Sequence, residues 1–482
     1  MNKKENNNAL KAGVWYTLSN FFVKGIIFLT TPIFTRLMSV EDIGLFSNIS
    51  AWVSILCIVA TFEIYSSVSI ARFEYKDKLD EYISSSLILG SIITLLFYII
   101  TIIFKDFFMN LFSVNFTQLN LIYLYLLVYP SVQMLFIKNQ IEYNYKSTIL
   151  ISLLNTILST IFSIIFVITC TNKLSGRIYG YFTPLIIICL FVYLYLLKKN
   201  SNISCKYWPY ALRISFPLIF HLLAGYLLNS SDKIMITKMI SPDANALYSV
   251  AYTLSLVVSI LWSSMNNAWS PWAYKKMEEK KYDDLKSKSK PYTIFFIIIV
   301  YIIMLFSPEL MLFFGGKKYC SAIYVIPPVM IGYVFQFVYS LYVNIEFYYK
   351  KQKYIAFGTI IACIINIVLN YIFIPKYGYI SAAYTTLIGY MCLMFIHYIF
   401  VKHMKYDYYY DTCFFTKIFL FSLIYMVCIL LLYKFIYVRY TIILLLFCSF
   451  LFRVYNNRKI LIKYIKQRNL IDTLKIIIGG QR

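Results

Sequence analysis

Apolar residues in this chain come in blocks of helix-spanning length, broken by charged or Pro/Gly-bearing stretches, and not in strand alternation. A helix crosses a bilayer core with about 20 mainly apolar residues. Cutting at the breaks predicts fourteen such segments, the first six centred near Lys24, Leu56, Thr94, Val128, Leu158 and Ile188. Six more centre near Gly225, Val257, Val300, Phe335, Ile365 and Met391, and two follow near Leu423 and Leu446. From Arg458 to Ile478 basic and apolar residues alternate, which predicts an amphipathic helix on the membrane surface.

The pattern repeats. Thr35 to Ser47, TRLMSVEDIGLFS, returns as TKMISPDANALYS at Thr237 to Ser249, a spacing of 202. IEYNYK at Ile141 returns as IEFYYK at Ile345, and GRIYGYFT at Gly176 as GYISAAYT at Gly378. A long internal period signals a duplication. Each copy of the first landmark is the turn between two membrane helices, with Ser39 and Ser241 as N-caps and Pro242 at a first helical position. Ala246 stands where the first copy has Gly44, which predicts looser packing of the second turn. Six helices per copy is an even number, so the copies are parallel and related by a pseudo-two-fold axis along the membrane normal, with a cavity between them. The expected fold is an all-α polytopic membrane protein of about 14 transmembrane helices, with two six-helix lobes. Its expected parts are 1–205 and 206–405 as the lobes, 406–457 as two extra helices and 458–482 as a cytoplasmic tail.

Composition agrees: 60% hydrophobic, 14% charged and a mean hydropathy of +0.69 exclude an ordinary soluble globule. A net charge of +24 would suggest nucleic acid in a soluble protein, but here the positive-inside rule accounts for it. The large majority of Lys and Arg fall at the N-terminus, in alternate loops from Arg72–Lys78 to Lys402–Lys417, and in the tail. That places both termini in the cytoplasm and Arg36 and Lys238 at the outer face. The basic N-terminus leads into its first apolar run without a cleavage motif and is read as retained. The ten cysteines are scattered singly, which predicts free thiols. No loop holds a catalytic domain, and no P-loop, dinucleotide fingerprint, HExxH or Ser/His/Asp arrangement occurs, so neither an enzyme nor a metal site is expected.

PIFTRLMSVEDIGLFS after helix 1, SDKIMITKMISPDANALYSVAYTLS across helices 7 and 8, and NIVLNYIFIPKYGYISAAYTTLIGY across helices 11 and 12 resemble the polysaccharide flippases, the Wzx-like polysaccharide transporters of the multidrug/oligosaccharidyl-lipid/polysaccharide superfamily. The resemblance covers essentially the whole chain. It implies a bacterial cytoplasmic-membrane protein that moves undecaprenyl-pyrophosphate-linked oligosaccharide units, for O-antigen, capsule or exopolysaccharide, from inner to outer leaflet by alternating access. It further implies a cationic cavity, no ATP hydrolysis, Na+ or H+ as the coupling ion, and a polysaccharide polymerase and chain-length regulator as partners. A drug/cation antiporter of the same superfamily shares the lobes but usually stops at twelve helices and wants an acidic cavity. A polymerase or glycosyltransferase would use acidic residues such as Glu41 and Asp42, but leaves the repeat unexplained; a scaffold of the assembly complex is a third alternative.

Several polar residues lie within apolar segments and need partners. Lys24 either faces the cavity and binds pyrophosphate or pairs with Glu63. Arg36 either receives the pyrophosphate at the outer end of helix 1 or anchors in headgroups. Asp232 and the cavity candidate Lys233 are helix neighbours about 100° apart and form no ideal pair. Asp232 can join Asn366 and Asn370, which share a face of helix 11, and Thr386 of helix 12, either as an ion-coupling site or as interhelical hydrogen bonding. Glu63 and His221 are proton-sensing or structural. Glu142 and Glu346 occupy equivalent inner helix ends and are gate candidates or interface salt bridges. The 47 tyrosines are mostly interfacial or packing residues.

Overall fold

A computed structural model describes residues 3–200 and 202–456, so the surface helix expected at Arg458 to Ile478 lies outside the described residues. Regular structure among the described residues is entirely helical. The long helices are α1 (Lys3–Leu37), α2 (Val40–Val59), α3 (Leu79–Ile103), α4 (Phe116–Ile141), α5 (Tyr145–Thr169), α6 (Lys173–Lys199) and α7 (Trp208–Met239). They continue with α8 (Pro242–Glu278), α9 (Tyr282–Leu305), α10 (Ile326–Tyr348), α11 (Gln352–Tyr377), α12 (Tyr379–His403), α13 (Thr412–Leu432) and α14 (Ile436–Asn456). Among the described residues 13 helices are long and apolar enough to cross a membrane, and α14 adds a shorter apolar stretch, Ile436–Leu445. Each of the predicted segment centres falls inside one of these helices. The chain is a multi-pass membrane protein, with large apolar side chains such as Leu96, Ile103, Phe191 and Ile364 on its outside.

α2 departs from the expected segment. It starts directly after the turn and ends at Val59, where a segment centred at Leu56 would run several residues further. Phe62 and Glu63 both take positive φ, 55° and 50°, without glycine's conformational freedom. The break is held by polar contacts: the Glu63 carboxylate accepts from Tyr65 Oη at 2.6 Å and Ser66 Oγ at 2.8 Å, and its carbonyl accepts from Ser215 Oγ of α7 at 3.3 Å. Neither glycine nor proline marks this break, so pattern reading passes over it.

Two large hydrophobic cores form among the described residues, one from residues between Ile49 and Ala211, the other from residues between Ala224 and Ile429, and a small third one joins Phe34, Met38 and Val167. The lobes meet at the end carrying the turns α1–α2 and α7–α8. Here Ser47 and Ser249, equivalent in the repeat and 202 residues apart, hydrogen-bond to each other at 2.6 Å. Equivalent atoms touch only beside the axis that relates them, so this contact marks the pseudo-two-fold axis. Asn245 Nδ2 donates to the Gly44 carbonyl at 2.8 Å. A Cβ on Gly44 would overlap the carbonyl of Pro242 and come 3.1 Å from Ala246 N. The expected looser packing of the second turn is therefore corrected: Ala246 is fully buried, and its methyl is accommodated because the facing residue of the first copy is glycine. Ser39 and Ser241 cap their helices as expected, accepting from the N–H groups of Asp42 and Ala244, both at 3.1 Å.

The same symmetry sets a pair of clamps. Short helices Lys105–Phe112 and Ser307–Gly315 also start 202 residues apart. Arg36 of the first lobe donates to the Phe313 carbonyl of the second at 3.1 Å, and Lys238 of the second donates to the Asn110 carbonyl of the first at 2.5 Å. These carbonyls lie near helix C-termini, where cations are favoured.

The two extra helices dock on α9 through polar groups. Tyr301 donates to Ser422 at 2.8 Å, Tyr425 to the Tyr301 carbonyl at 3.0 Å and Tyr433 to the Met304 carbonyl at 2.9 Å, while Arg439 reaches Glu309. α13 is capped by Asp411, which accepts from Phe414 N–H at 3.1 Å and pairs with Lys290 at 2.5 Å. Lys290 and the Phe414 N–H hold the Asp411 carboxyl below the usual carboxylate range. A depressed folded value contributes stability above the unfolded pKa of about 3.9, and that contribution is lost as pH falls through the folded value. Asp411→Asn keeps a capping oxygen but removes the charge. Its melting temperature should lie slightly below wild type at neutral pH and converge with it below about pH 4, measured by thermal melting in detergent.

Candidate functional site

Between the lobes, two cavities lie one beyond the other, separated by Tyr226, which borders both. The one next to the turns measures about 310 Å3 and takes its walls from α1, α2, α6, α7 and α8. Its charged lining is cationic: Arg177 from the first lobe and Lys233 from the second, with hydroxyls from Thr30, Thr31, Ser50 and Thr253 around them.

Local packing explains the position of Arg177. Gly176 and Gly180, four apart on α6, let that helix approach the backbone of α5 at Phe166 and at Phe162–Ser163 more closely than a Cβ would allow. Arg177, one residue on from Gly176, is turned towards α1 and α2. Its guanidinium lies 3.2 Å from the ring centroid of Phe34 and 4.7 Å from that of Phe46. Two aromatic faces hold the cation in place, and its Nη1 is buried without a hydrogen-bond partner among the described residues. Lys233 sits 5.1 Å over the ring of Tyr252 and is likewise held by an aromatic face. Two cations on opposite lobes, one of them with an unused donor, are suited to an anion, while the surrounding hydroxyls already donate to carbonyls of their own helices.

The second cavity, about 550 Å3, lies farther from the turns and carries a different charge set. Glu63 and His221 line it without any Lys or Arg, together with Tyr65, Trp262, Gln336 and Tyr339. Nδ1 of His221 is buried and unpartnered among the described residues.

Lys24 lies in the wall of neither cavity and forms no ion pair with Glu63 among the described contacts; it is exposed on α1. It shares a helical stripe with Ile27 and Thr31, which do line the cationic cavity, one turn nearer the turns. Arg36 is engaged in the clamp to Phe313 and also bonds the Pro32 carbonyl at 3.1 Å. Asp232 and Lys233 diverge as neighbours on a helix must: Lys233 faces the cationic cavity, while Asp232 is buried in the second lobe. There it accepts from Tyr248, from Thr386 at 3.5 Å and from the Lys233 N–H at 2.8 Å. Asn366 and Asn370 form an adjoining cluster and not a direct contact with Asp232. Asn366 Oδ1 accepts from Asn370 at 3.2 Å and from Ser231 at 3.5 Å, Asn370 accepts from Thr385, and Asn366 Nδ2 is left unpartnered. Ser231, Thr385 and Tyr248 are the members of this buried network that sequence spacing did not single out.

Glu142 and Glu346, equivalent in the repeat, have different surroundings. Glu142 is exposed at the end of α4, 3.7 Å from Lys138. Glu346 is fully buried on α10, against the Nδ1 of His397 on α12. A shared role at an exposed rim therefore does not extend to Glu346.

Arg177 was legible only in part. Its stretch stands out in the sequence as a repeat landmark, but its charge reads as belonging to an outer loop. The small-xxx-small spacing of Gly176 and Gly180 around it was the available signal.

Residues 9–277 match a family described as polysaccharide biosynthesis protein, and residues 217–372 match MatE. Among curated proteins, the chain is 28% identical over 185 residues to Lsg locus putative protein 1 of Haemophilus influenzae, covering 36% of this chain and 46% of that protein. The chain spans about half the length of the curated relatives it matches. Among solved structures it resembles the lipid II flippase MurJ in its inward closed conformation, with a TM-score of 0.67 at 17% identity over 91% of this chain and 99% of that one. It also resembles an inward-facing multidrug resistance MATE family transporter of the MOP superfamily, with a TM-score of 0.59 at 16% identity over 80% of this chain and 94% of that one. At these identities the likeness shows the fold.

Proposed function

The chain belongs to the polysaccharide biosynthesis protein family, and we propose that it is a flippase for oligosaccharide units linked to undecaprenyl pyrophosphate, carrying them from the inner to the outer leaflet of a bacterial cytoplasmic membrane. The observation that carries this reading is the inter-lobe cavity holding Arg177 and Lys233, one cation from each lobe. A pyrophosphate brings charge and acceptor oxygens. A guanidinium fork with a free donor and an ammonium point charge complement it, and an aromatic-backed site of low polarity strengthens both interactions. Phe34 and Phe46 pre-position the guanidinium, so little side-chain freedom is lost on binding. Lys24, on the same α1 stripe one turn farther from the turns, gives the anion an earlier contact on its way in. The aromatic second cavity offers ring faces to the sugars, with Tyr65, Trp262 and Tyr339 in its wall. The likeness to a lipid II flippase supports a lipid-linked sugar as cargo, and a cation-lined cavity favours it over the cationic drug of an antiporter.

In this reading no bond is made or broken. The lobes close at the turns in the observed state, and transport requires that seam to part while the opposite end closes. Asp232 with Thr386, and the adjoining Asn366–Asn370 cluster, would hold the coupling ion, Na+ or H+, in the second lobe. Polysaccharide polymerase and chain-length regulator are the expected partners at the outer face, and both chain ends lie in the cytoplasm.

The test is to delete the gene, extract the lipid-linked oligosaccharides, and ask in intact spheroplasts whether a membrane-impermeant reagent reaches their sugars. Complete units should accumulate shielded inside and return to the surface with the wild-type gene. Units that accumulate already exposed outside would point to a later step and overturn the assignment.

A further inference from the structure

We propose that Glu346 and His397 together form a proton-binding site whose occupancy sets the conformational equilibrium of the second lobe. Both side chains are fully buried, and His397 Nδ1 lies 2.8 and 2.9 Å from the two carboxylate oxygens of Glu346. With one proton between them, beyond the neutral imidazole's own, the pair carries no net charge. Without that proton it leaves a buried negative charge, which is costly in the absence of a partner.

The surroundings offer no such partner. On α10 the neighbouring titratable group is Tyr339, its ring 4.8 Å from the imidazole. α11 faces the imidazole with Gly358, which does not ionise, its Thr359 lies by Tyr339, and its Tyr354 packs on Phe400. On α12 itself Phe400 follows, and Lys402 and His403 beyond it are exposed. From α8, Tyr274 reaches Asn344, two residues before Glu346, at 3.2 Å. Lys351 meets Glu346 through backbone atoms. No other Asp, Glu, Lys or Arg pairs with either group among the described residues.

The second observation is on the far side of the ring. Nε2 of His397 is buried without a partner among the described residues, and the residue against it is Gly358, where a Cβ would come 2.5 Å from that nitrogen. The imidazole thus joins a carboxylate on α10 to a bare backbone face of α11, and Tyr339 and Thr359 beside it line the larger cavity. Separation of α11 from α12 would bring water to Nε2 and let the proton leave. By linkage, a proton held more tightly in the packed state favours that state at low pH, and loss of the proton favours the parted one. The proton site stands on this geometry alone; its coupling to transport rests on the flippase reading.

The test uses the full-length chain in nanodiscs without substrate. Its native cysteines are replaced and spin labels placed at Lys353→Cys and Lys402→Cys, exposed in the first turn of α11 and the last turn of α12, whose ends lie side by side. Distances are measured from about pH 5 to 9. The expected result is two distance populations whose ratio changes by up to about tenfold per pH unit through one transition. Glu346→Gln, neutral at every pH, should hold the low-pH ratio throughout. Gly358→Ala, which retains both ionisable groups but presses on Nε2, should displace the midpoint, and it serves if the glutamine variant does not fold. A flat wild-type ratio, or a Glu346→Gln protein that keeps the wild-type dependence, would overturn the proposal. The second outcome would move the titrating group to Glu63, His221 or Asp232. None of these outcomes bears on whether lipid-linked sugars are carried, which the spheroplast assay decides separately.

Discussion

Arg177→Ala should cut delivery of lipid-linked sugars to the outer surface by about 10- to 100-fold while leaving the protein as stable as wild type, or more so. The two halves of this expectation come from one fact, that Nη1 of Arg177 is buried without a hydrogen-bond partner among the described residues. A hydrogen bond to a charged group is worth about 1.5–3 kcal/mol, so losing one weakens anion binding by about 10- to 100-fold. Against that, removing a buried cation that has no ion-pair partner among the described residues relieves a desolvation cost, partly offset by lost contact with Phe34 and Phe46. A residue that merely holds α6 against α1 and α2 would lose stability and transport together. Arg177→Lys should recover only part of the activity, because an ammonium has neither the flat face that stacks on Phe34 nor the fork that grips two oxygens. Lys233→Ala should reduce transport through the same site. If both cations hold one anion, the double variant should lose less than the product of the single losses. The measurements are the impermeant-reagent assay in spheroplasts and thermal melting of the purified variants; unchanged delivery by well-expressed Arg177→Ala would remove the anion site from the mechanism.

How much of this was legible beforehand follows from what each feature depends on. Helix number and position come from hydropathy over about 20 residues, a local property, so every predicted centre from Lys24 to Leu446 lies in a helix. The lobe symmetry was readable because duplication leaves nearly constant spacing, 202 or 204 residues at the three landmarks, and the 2.6 Å contact between Ser47 and Ser249 is its spatial consequence. The break after Val59 was not readable, since neither glycine nor proline marks it and the positive φ at Phe62 and Glu63 is held by side-chain bonds from Tyr65 and Ser66 together with one from Ser215 some 152 residues away. Site residues fared according to whether spacing along one helix fixes their partners. Asn366 and Asn370 were bound to share a face, and Asp232 and Lys233 to diverge. By contrast, the distinction between the exposed Glu142 and the buried Glu346 depends on His397, a residue of another helix. The pairing of Arg177 with Lys233 in one cavity depends on the meeting of two lobes, which no single stretch encodes.

Locking the seam at the turns should stop transport reversibly. With the ten native cysteines replaced, Ser47→Cys with Ser249→Cys should oxidise readily, because a disulfide needs Cβ atoms about 3.5–4.5 Å apart and the serine hydroxyls already touch at 2.6 Å. Delivery of lipid-linked sugars should fall to background on oxidation and return on reduction, whereas either single cysteine should transport normally under both conditions. The opposite perturbation is Gly44→Val. Its Cβ would overlap the Pro242 carbonyl, so the two backbones could not approach and the Asn245 bond to Gly44 would be lost. That variant should hold the seam apart and slow disulfide formation when combined with the two cysteines. Its own transport should also fail, since a cycle needs both closed and parted seams. The Arg36 and Lys238 clamps flank the same seam from opposite lobes, and removing both should bias it towards parting without touching the anion site. Closure here therefore combines a backbone contact that tolerates no side chain with two screened surface hydrogen bonds, and the first should dominate. If the oxidised double-cysteine protein transports at the wild-type rate, the lobes do not part at the turns, and alternating access about the axis through Ser47 and Ser249 is excluded.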